Sequence, residues 1–196
     1  MKTVESFRCN SAITGCDNFS MASTADSNNF SYGVVTYEPL VIKDHLIEEA
    51  KYNLFDVANW FLMKGNITQK KLQKLCYYAQ AWCYALKGYR LLDSDFQAWI
   101  HGPVSPAFYE RFRDFGYDTI KISIGNIPVF AKEDEELLND VWETYGDKTG
   151  NALEALTHTE RPWIEARRGY SDEERCTVII SPESMRDYYR SIYINS

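Results

Sequence analysis

The sequence predicts a mainly α protein, a compact bundle of about six or seven helices with a minor two- or three-stranded β element. Three observations lead there. Apolar residues recur at helical spacing in most segments beyond residue 50. Thr, Ser or Ser-Pro starts and Gly stops bracket several of those segments. Strand-prone runs are few and short, and they do not alternate with helices as a parallel sheet requires. A chain of 196 residues with 45% apolar content fits one domain with a real core.

Residues 1–43 are rich in Ser, Asn, Thr and Asp near their start and lack an apolar period. They are expected to form a polar extension, poorly ordered or loosely packed. Within it, "YGVVTYEPLVI" (32–42) is β-prone, although Pro39 demotes it to an edge strand or extended linker. The folded domain is expected over 44–196. "YNLFDVANWFLMK" (52–64) reads as a helix stopped by Gly65. The clearest helix is "TQKKLQKLCYYAQAWCYALKG", with Thr68 as N-cap and Gly88 as its stop. Leu72, Leu75, Cys76, Ala79, Cys83 and Leu86 make a single apolar stripe along it. Lys70, Lys71 and Lys74, near its start, oppose the helix dipole and read as a solvated face or a small basic patch.

"FQAWI" (96–100) reads as a short strand. Ser105 then caps a helix with Pro106 in its first turn, and Gly116 ends it. "YDTIKISIGNIPVF" (117–130) has room for another strand. "KEDEELLNDVWETYG" (132–146) is an amphipathic helix with acids in its first turn, where the dipole favours them. A short helix follows over 149–160, and Pro162 opens the next turn. "CTVII" (176–180) reads as a strand, and Ser181-Pro182 starts the last helix.

A net charge of −7 and a pI near 5.0 argue against non-specific binding to nucleic acid or anionic membrane. No apolar run reaches the ~20 residues of a membrane span, and the first twenty residues lack a signal peptide's apolar stretch. A cytoplasmic location is expected. The five cysteines include no C-x-x-C pair. Cys76 and Cys83 share a helix face and read as buried free thiols. No metal or other cofactor is expected.

Several motifs then fall in a fixed order: "KLQKLCYYAQAW", "AWIHGPVSP", "LLNDVWETYG", "LTHTERPWIEARRG" and "IISPESMRDYY". Together, across about residues 55 to 190, they resemble the Panacea domain of SocA-like antitoxins, a family that includes GepA-like phage-associated proteins. The resemblance implies a mostly helical domain encoded in prophages, mobile elements or small toxin–antitoxin operons. It implies a non-enzymatic antitoxin whose partner is a cognate or host toxin protein. One member acts as an adaptor to a bacterial protease, so a protease is a further partner it suggests. The family pairs one antitoxin fold with unrelated toxins, and the fold does not name the toxin.

Candidate partner-binding residues are Tyr77, Tyr78, Gln80, Trp99, His101, Gly102, Pro103, His158, Trp163 and Arg167. Each also has a structural reading. Tyr77, Tyr78 and Gln80 flank the apolar stripe and either finish the core boundary or line a groove. Trp163 plugs the core or faces a partner, and Arg167 belongs to a solvated face or clamps acidic groups. Gly102 and Pro103 would hold His101 in a firm turn. A catalytic His101 would need a nucleophile and an orienting group. Ser105 and His158 are the available companions, and no metal-ligand pair or nucleophile elbow accompanies them. Besides the antitoxin, the residues leave open a nucleic-acid-binding regulator resting on "KKLQK" and a small hydrolase using His101.

Overall fold

The computed structural model describes residues 49–121 and 129–195. The extension 1–43, its 32–42 strand, the domain start near residue 44, Cys9, Cys16 and most of the possible strand in 117–130 lie outside the described residues. Among the described residues there are seven α-helices and one two-stranded sheet: α1 (Leu54–Met63), α2 (Gln69–Leu86), β1 (Gln97–Trp99), β2 (Gly102–Val104), α3 (Pro106–Phe112), α4 (Lys132–Tyr145), α5 (Gly150–Thr157), α6 (Arg161–Ala166) and α7 (Pro182–Asn195). The fold is mainly α with a minor β element. No helix among the described residues is long and apolar enough to cross a membrane.

Helix α2 is the axis. The Thr68 hydroxyl accepts from Lys71 N at its start, and Gly88 leaves its end at φ 74°. The expected single stripe is a correction: the helix is buried on every face from Leu72 to Ala85, while Leu86 is only half-buried. α1, α4, α5 and α7 all pack on it. Burial all round a helix suits apolar residues, and the polar ones must find partners. Three of them find one in the backbone of the segment that follows: Gln80 Oε1 accepts from Leu92 N (2.8 Å), Gln73 Oε1 accepts from Ser105 N (3.0 Å), and Lys74 Nζ donates to the Pro103 carbonyl (2.9 Å). Rings fill the gap to α4 and α7. Tyr78 stacks on Tyr145 at 3.9 Å, and Tyr189 packs against Tyr77, Tyr78 and Trp82. The free thiols of Cys76, Cys83 and Cys176 are buried.

The sheet is an antiparallel hairpin in the register Gln97↔Val104 and Trp99↔Gly102, so the Gly-Pro-Val read as a turn is itself a strand. The strand expected over 176–180 shrinks to one antiparallel bridge, Gln97↔Ile179. Ala98 N donates to Val178 O, and Ile180 N donates to Phe96 O. The return bond to the Ala98 carbonyl is replaced, because that oxygen accepts from Arg167 Nη1 at 3.0 Å. A side chain thus caps the ladder where a third strand would have continued.

Candidate functional site

The hairpin sits on α2 through contacts that leave little freedom. Gly102 has φ 89°, a region that favours glycine. A Cβ there would lie 2.7 Å from Thr157 Oγ1 and 2.9 Å from Lys74 Cε. α5 and the Lys74 stem therefore close directly on the turn. Lys74 is fully buried, and burial lowers its ammonium to about 7, with Glu154 opposing that fall. Ser105 is buried as well. Its hydroxyl accepts from Phe108 N (3.3 Å) as the N-cap of α3 and lies 2.8 Å from Ser94 Oγ.

α6 grips the hairpin from the other side. Trp163 Nε1 donates to the Trp99 carbonyl at 3.0 Å. Arg167 is buried beside it, its guanidinium 5.1 Å from the Trp163 ring. Besides Ala98 O, it donates to the carbonyls of Ser171 (2.6 Å), Asp172 (3.3 Å) and Glu174 (2.9 Å). Arg167, expected on a solvated face or as a clamp on a partner's acids, turns its donors inward here and pins the loop after α6 to β1. His158 stacks on Trp163 at 4.1 Å, and its Nε2 is buried with no hydrogen-bond partner among the described residues. Burial lowers this imidazole, with Lys74 and Arg167 adding to the fall and Glu154 opposing it.

The expected site residues thus separate into two sets. Tyr77, Tyr78 and Gln80 are buried in the core and present no surface to a partner in this fold; Tyr78 Oη instead donates to Glu160. Gly102 and Pro103 are buried within the hairpin, Trp163 and Arg167 are buried behind it, and His158 is half-buried there. Trp99 and His101 reach outward. Trp99 is half-buried, with its indole N–H on Gln97 Oε1 (2.8 Å) and its ring edge against Tyr109 at 5.1 Å. His101 is 71% exposed, with Nδ1 2.9 Å from Glu154 Oε1. Glu154 also pairs with Lys70 Nζ at 2.6 Å. Burial raises its carboxyl, but the hydrogen bonds from Lys70 and His101 outweigh that and hold it below the usual range.

Trp99, Ile100, His101, Tyr109, Arg175 and Cys176 surround an open, mainly apolar cavity of about 370 Å³. Tyr109, Arg175 and Cys176 were not among the expected site residues. Tyr109 had a usable signal: it falls one helical turn past the Ser105 cap, on α3 but off the Phe108–Phe112 core positions. Arg175 and Cys176 had none, because the Arg167 pin and the main-chain bonds of Val178 and Ile180 bring their segment to a β1 distant in sequence.

The alternative chemistries find their groups already engaged. His101 pairs with Glu154, Ser105 caps α3, and His158 stacks on Trp163, so the three do not form a nucleophile–base–acid relay. Among the described residues no group of three or more His, Cys, Asp or Glu side chains is arranged to hold a metal ion. The basic patch expected of "KKLQK" is also taken apart. Lys74 is buried, Lys71 Nζ donates to the Gly146 carbonyl (2.6 Å), and Lys70 bonds Asn151 and Glu154.

Residues 72–164 match the family model described as Antitoxin SocA-like, Panacea domain. The match runs from the first buried leucine of α2 into α6, so it takes in the hairpin, Lys74 and Trp163, and it ends before Arg167. It is narrower than the resemblance over residues 55 to 190. No curated protein and no solved structure matches the chain.

Proposed function

From the match of residues 72–164 to the SocA-like Panacea domain model we propose that the protein neutralises a toxin protein by binding it directly. The family assignment carries the antitoxin reading. The finer statement, direct contact through one face, draws support from the hairpin. Trp99 and His101 stand outward on a hairpin held from behind by Lys74, Trp163 and Arg167, and Tyr109 of α3 packs beside Trp99. A rigid aromatic face costs little ordering on binding and supplies the residue types that dominate interface energetics. A footprint of roughly 800 Å² per partner suffices for a stable complex.

In this reading Gly102, Pro103, His158 and Trp163 shape the binding face, while Tyr77, Tyr78, Gln80 and Arg167 hold the core beneath it. The toxin is encoded beside this gene or belongs to the host. A prophage or mobile-element setting, action in the cytoplasm and handover to a bacterial protease belong to the same proposal.

The test is genetic and then biochemical. The neighbouring gene is expressed alone and together with this one, and the two products are purified. Toxicity alone, tolerance together and a stable complex are expected. Rescue without any complex contradicts direct neutralisation, and toxicity that this protein does not relieve contradicts the antitoxin reading for that pair.

A further inference from the structure

Beside the aromatic face runs a sheet edge that no described residue covers. The segment from Thr177 to Ile179 lies against β1 through the bridge Gln97↔Ile179, whose two hydrogen bonds use the flanking residues Val178 and Ile180. In that pattern the N–H and C=O of Ile179 point away from β1, as do those of Thr177 two residues earlier. Neither pair takes a hydrogen bond from the described residues. The side chains are apolar and open: Val178 is 40% exposed and Ile179 is 51% exposed. Alternation puts Ile179 and Thr177 on the same face as their β1 neighbours Gln97 and Trp99. Arg175, two residues before Thr177, lines the cavity next to Trp99 and forms no ion pair with the described residues.

We infer that this edge is the docking strand, and that its occupant is an extended segment of the toxin that adds a strand beside Thr177–Ile179. The inference rests on the antitoxin reading and names how the partner is held. Free main-chain donors and acceptors in strand register select an extended backbone, and alternate side chains set its identity. The segment carries an apolar residue opposite Ile179. It carries a carboxylate opposite Arg175, where a guanidinium favours a bidentate acid. Strand spacing places those two residues four positions apart, as 175 and 179 are here.

The test uses the full chain in two arms. In the first, hydrogen exchange is read at Thr177 and Ile179 in the free protein, and a displayed library of short linear peptides is selected on it. Fast exchange at both amides is expected. So is enrichment of peptides pairing an apolar with an acidic residue at that spacing. Binding should fall about tenfold or more when alternate peptide nitrogens are methylated. Arg175→Gln, a surface change, should weaken acidic peptides and leave their amide analogues unaffected. Slow exchange in the free chain overturns the inference, because a second copy or residues 1–48 then cover the edge. Enriched peptides indifferent to N-methylation overturn it too, as does a selection that enriches none.

In the second arm the neighbour-encoded toxin is bound to wild type, Ile179→Pro and Arg175→Gln, each checked for an unchanged melting transition. Both variants should bind about tenfold more weakly. Wild-type affinity in the Arg175→Gln variant, with Thr177 and Ile179 exchange unchanged in the complex, sinks strand addition while leaving neutralisation standing. A toxin that wild type neither binds nor relieves sinks the antitoxin reading instead, and the first arm still decides the edge.

Discussion

The buried Lys74 ammonium donates to the Pro103 carbonyl at 2.9 Å, so the second turn of the central helix holds the outer hairpin by a main-chain atom. Gln73 and Gln80 do the same for Ser105 N and Leu92 N. Three polar side chains on one helix thereby fix the segment from Leu92 to Ser105. A partner meeting Trp99 and His101 meets a surface whose geometry is set from the core.

The Lys74 interaction gives the fold a signature in pH. Burial lowers its ammonium to about 7 in the folded chain from an ordinary value of 10.5. Between those values the unfolded chain binds more protons, so this group makes stability rise with pH across that window. Below about 7 the charged form carries its full burial cost. Lys74→Met should remove the rise, read as the difference between wild-type and variant denaturation midpoints from pH 7 to 10. It also leaves the Pro103 carbonyl without its donor, a loss of about 1–3 kcal/mol that offsets part of the relieved burial cost.

Glu160 works in the opposite sense. Burial raises its carboxyl to about 8 against the hydrogen bonds from Tyr189 Oη (2.7 Å) and Tyr78 Oη. Here the folded chain binds more protons between 4.5 and 8. The stability this group gives is full below 4.5 and is lost as pH rises through 8. Glu160→Gln keeps a neutral, hydrogen-bonding side chain and should flatten that decline. Chemical denaturation of both forms at pH 5 and pH 8 checks it: the variant gains relative to wild type at the higher pH.

Gly102→Ala should destabilise the fold by about 2 kcal/mol or more, since it combines a strained φ with overlap on Thr157 Oγ1 and Lys74 Cε. The double variant with Thr157→Ala isolates one cause. It should recover only the overlap on Thr157 Oγ1, with the strained φ and the contact on Lys74 Cε leaving the melting temperature below that of Thr157→Ala alone.

Arg167→Met should cost about 3 kcal/mol, because four carbonyls lose a charged donor. Its second consequence is local: amide exchange over residues 171–180 should speed up more than exchange in α2. A surface arginine engaged only with a partner would change neither.

Much of this architecture is legible in the sequence. Thr68, Gly88, Ser105 and Pro106 mark helix ends by local chemistry, and the structure places the ends there. What fails is what depends on distant residues. Gln73, Lys74 and Gln80 look like the polar side of an amphipathic helix, and nothing in their neighbourhood shows that Ser105, Pro103 and Leu92 will supply partners. Glu160 looks like a surface acid until Tyr78 and Tyr189 enclose it. "CTVII" has strand composition, yet Arg167 holds the carbonyl that would extend its pairing. At the candidate site, Trp99 and His101 were readable from the turn between them and Pro103. Arg175 and Cys176 were not, since a loop brings them there.

The central claim is that the protein acts by covering a toxin with the face that Trp99 and Tyr109 present, and the most direct measurement is growth rescue by a double variant, Trp99→Ala with Tyr109→Ala. Both side chains stand partly open, so truncation should leave the melting transition nearly in place. His101→Ala serves as a companion, since its exposed pairing with Glu154 is worth at most about 1 kcal/mol. The folded double variant is expected no longer to bind the toxin and no longer to protect cells expressing it. Full protection and an intact complex from that variant would contradict the claim.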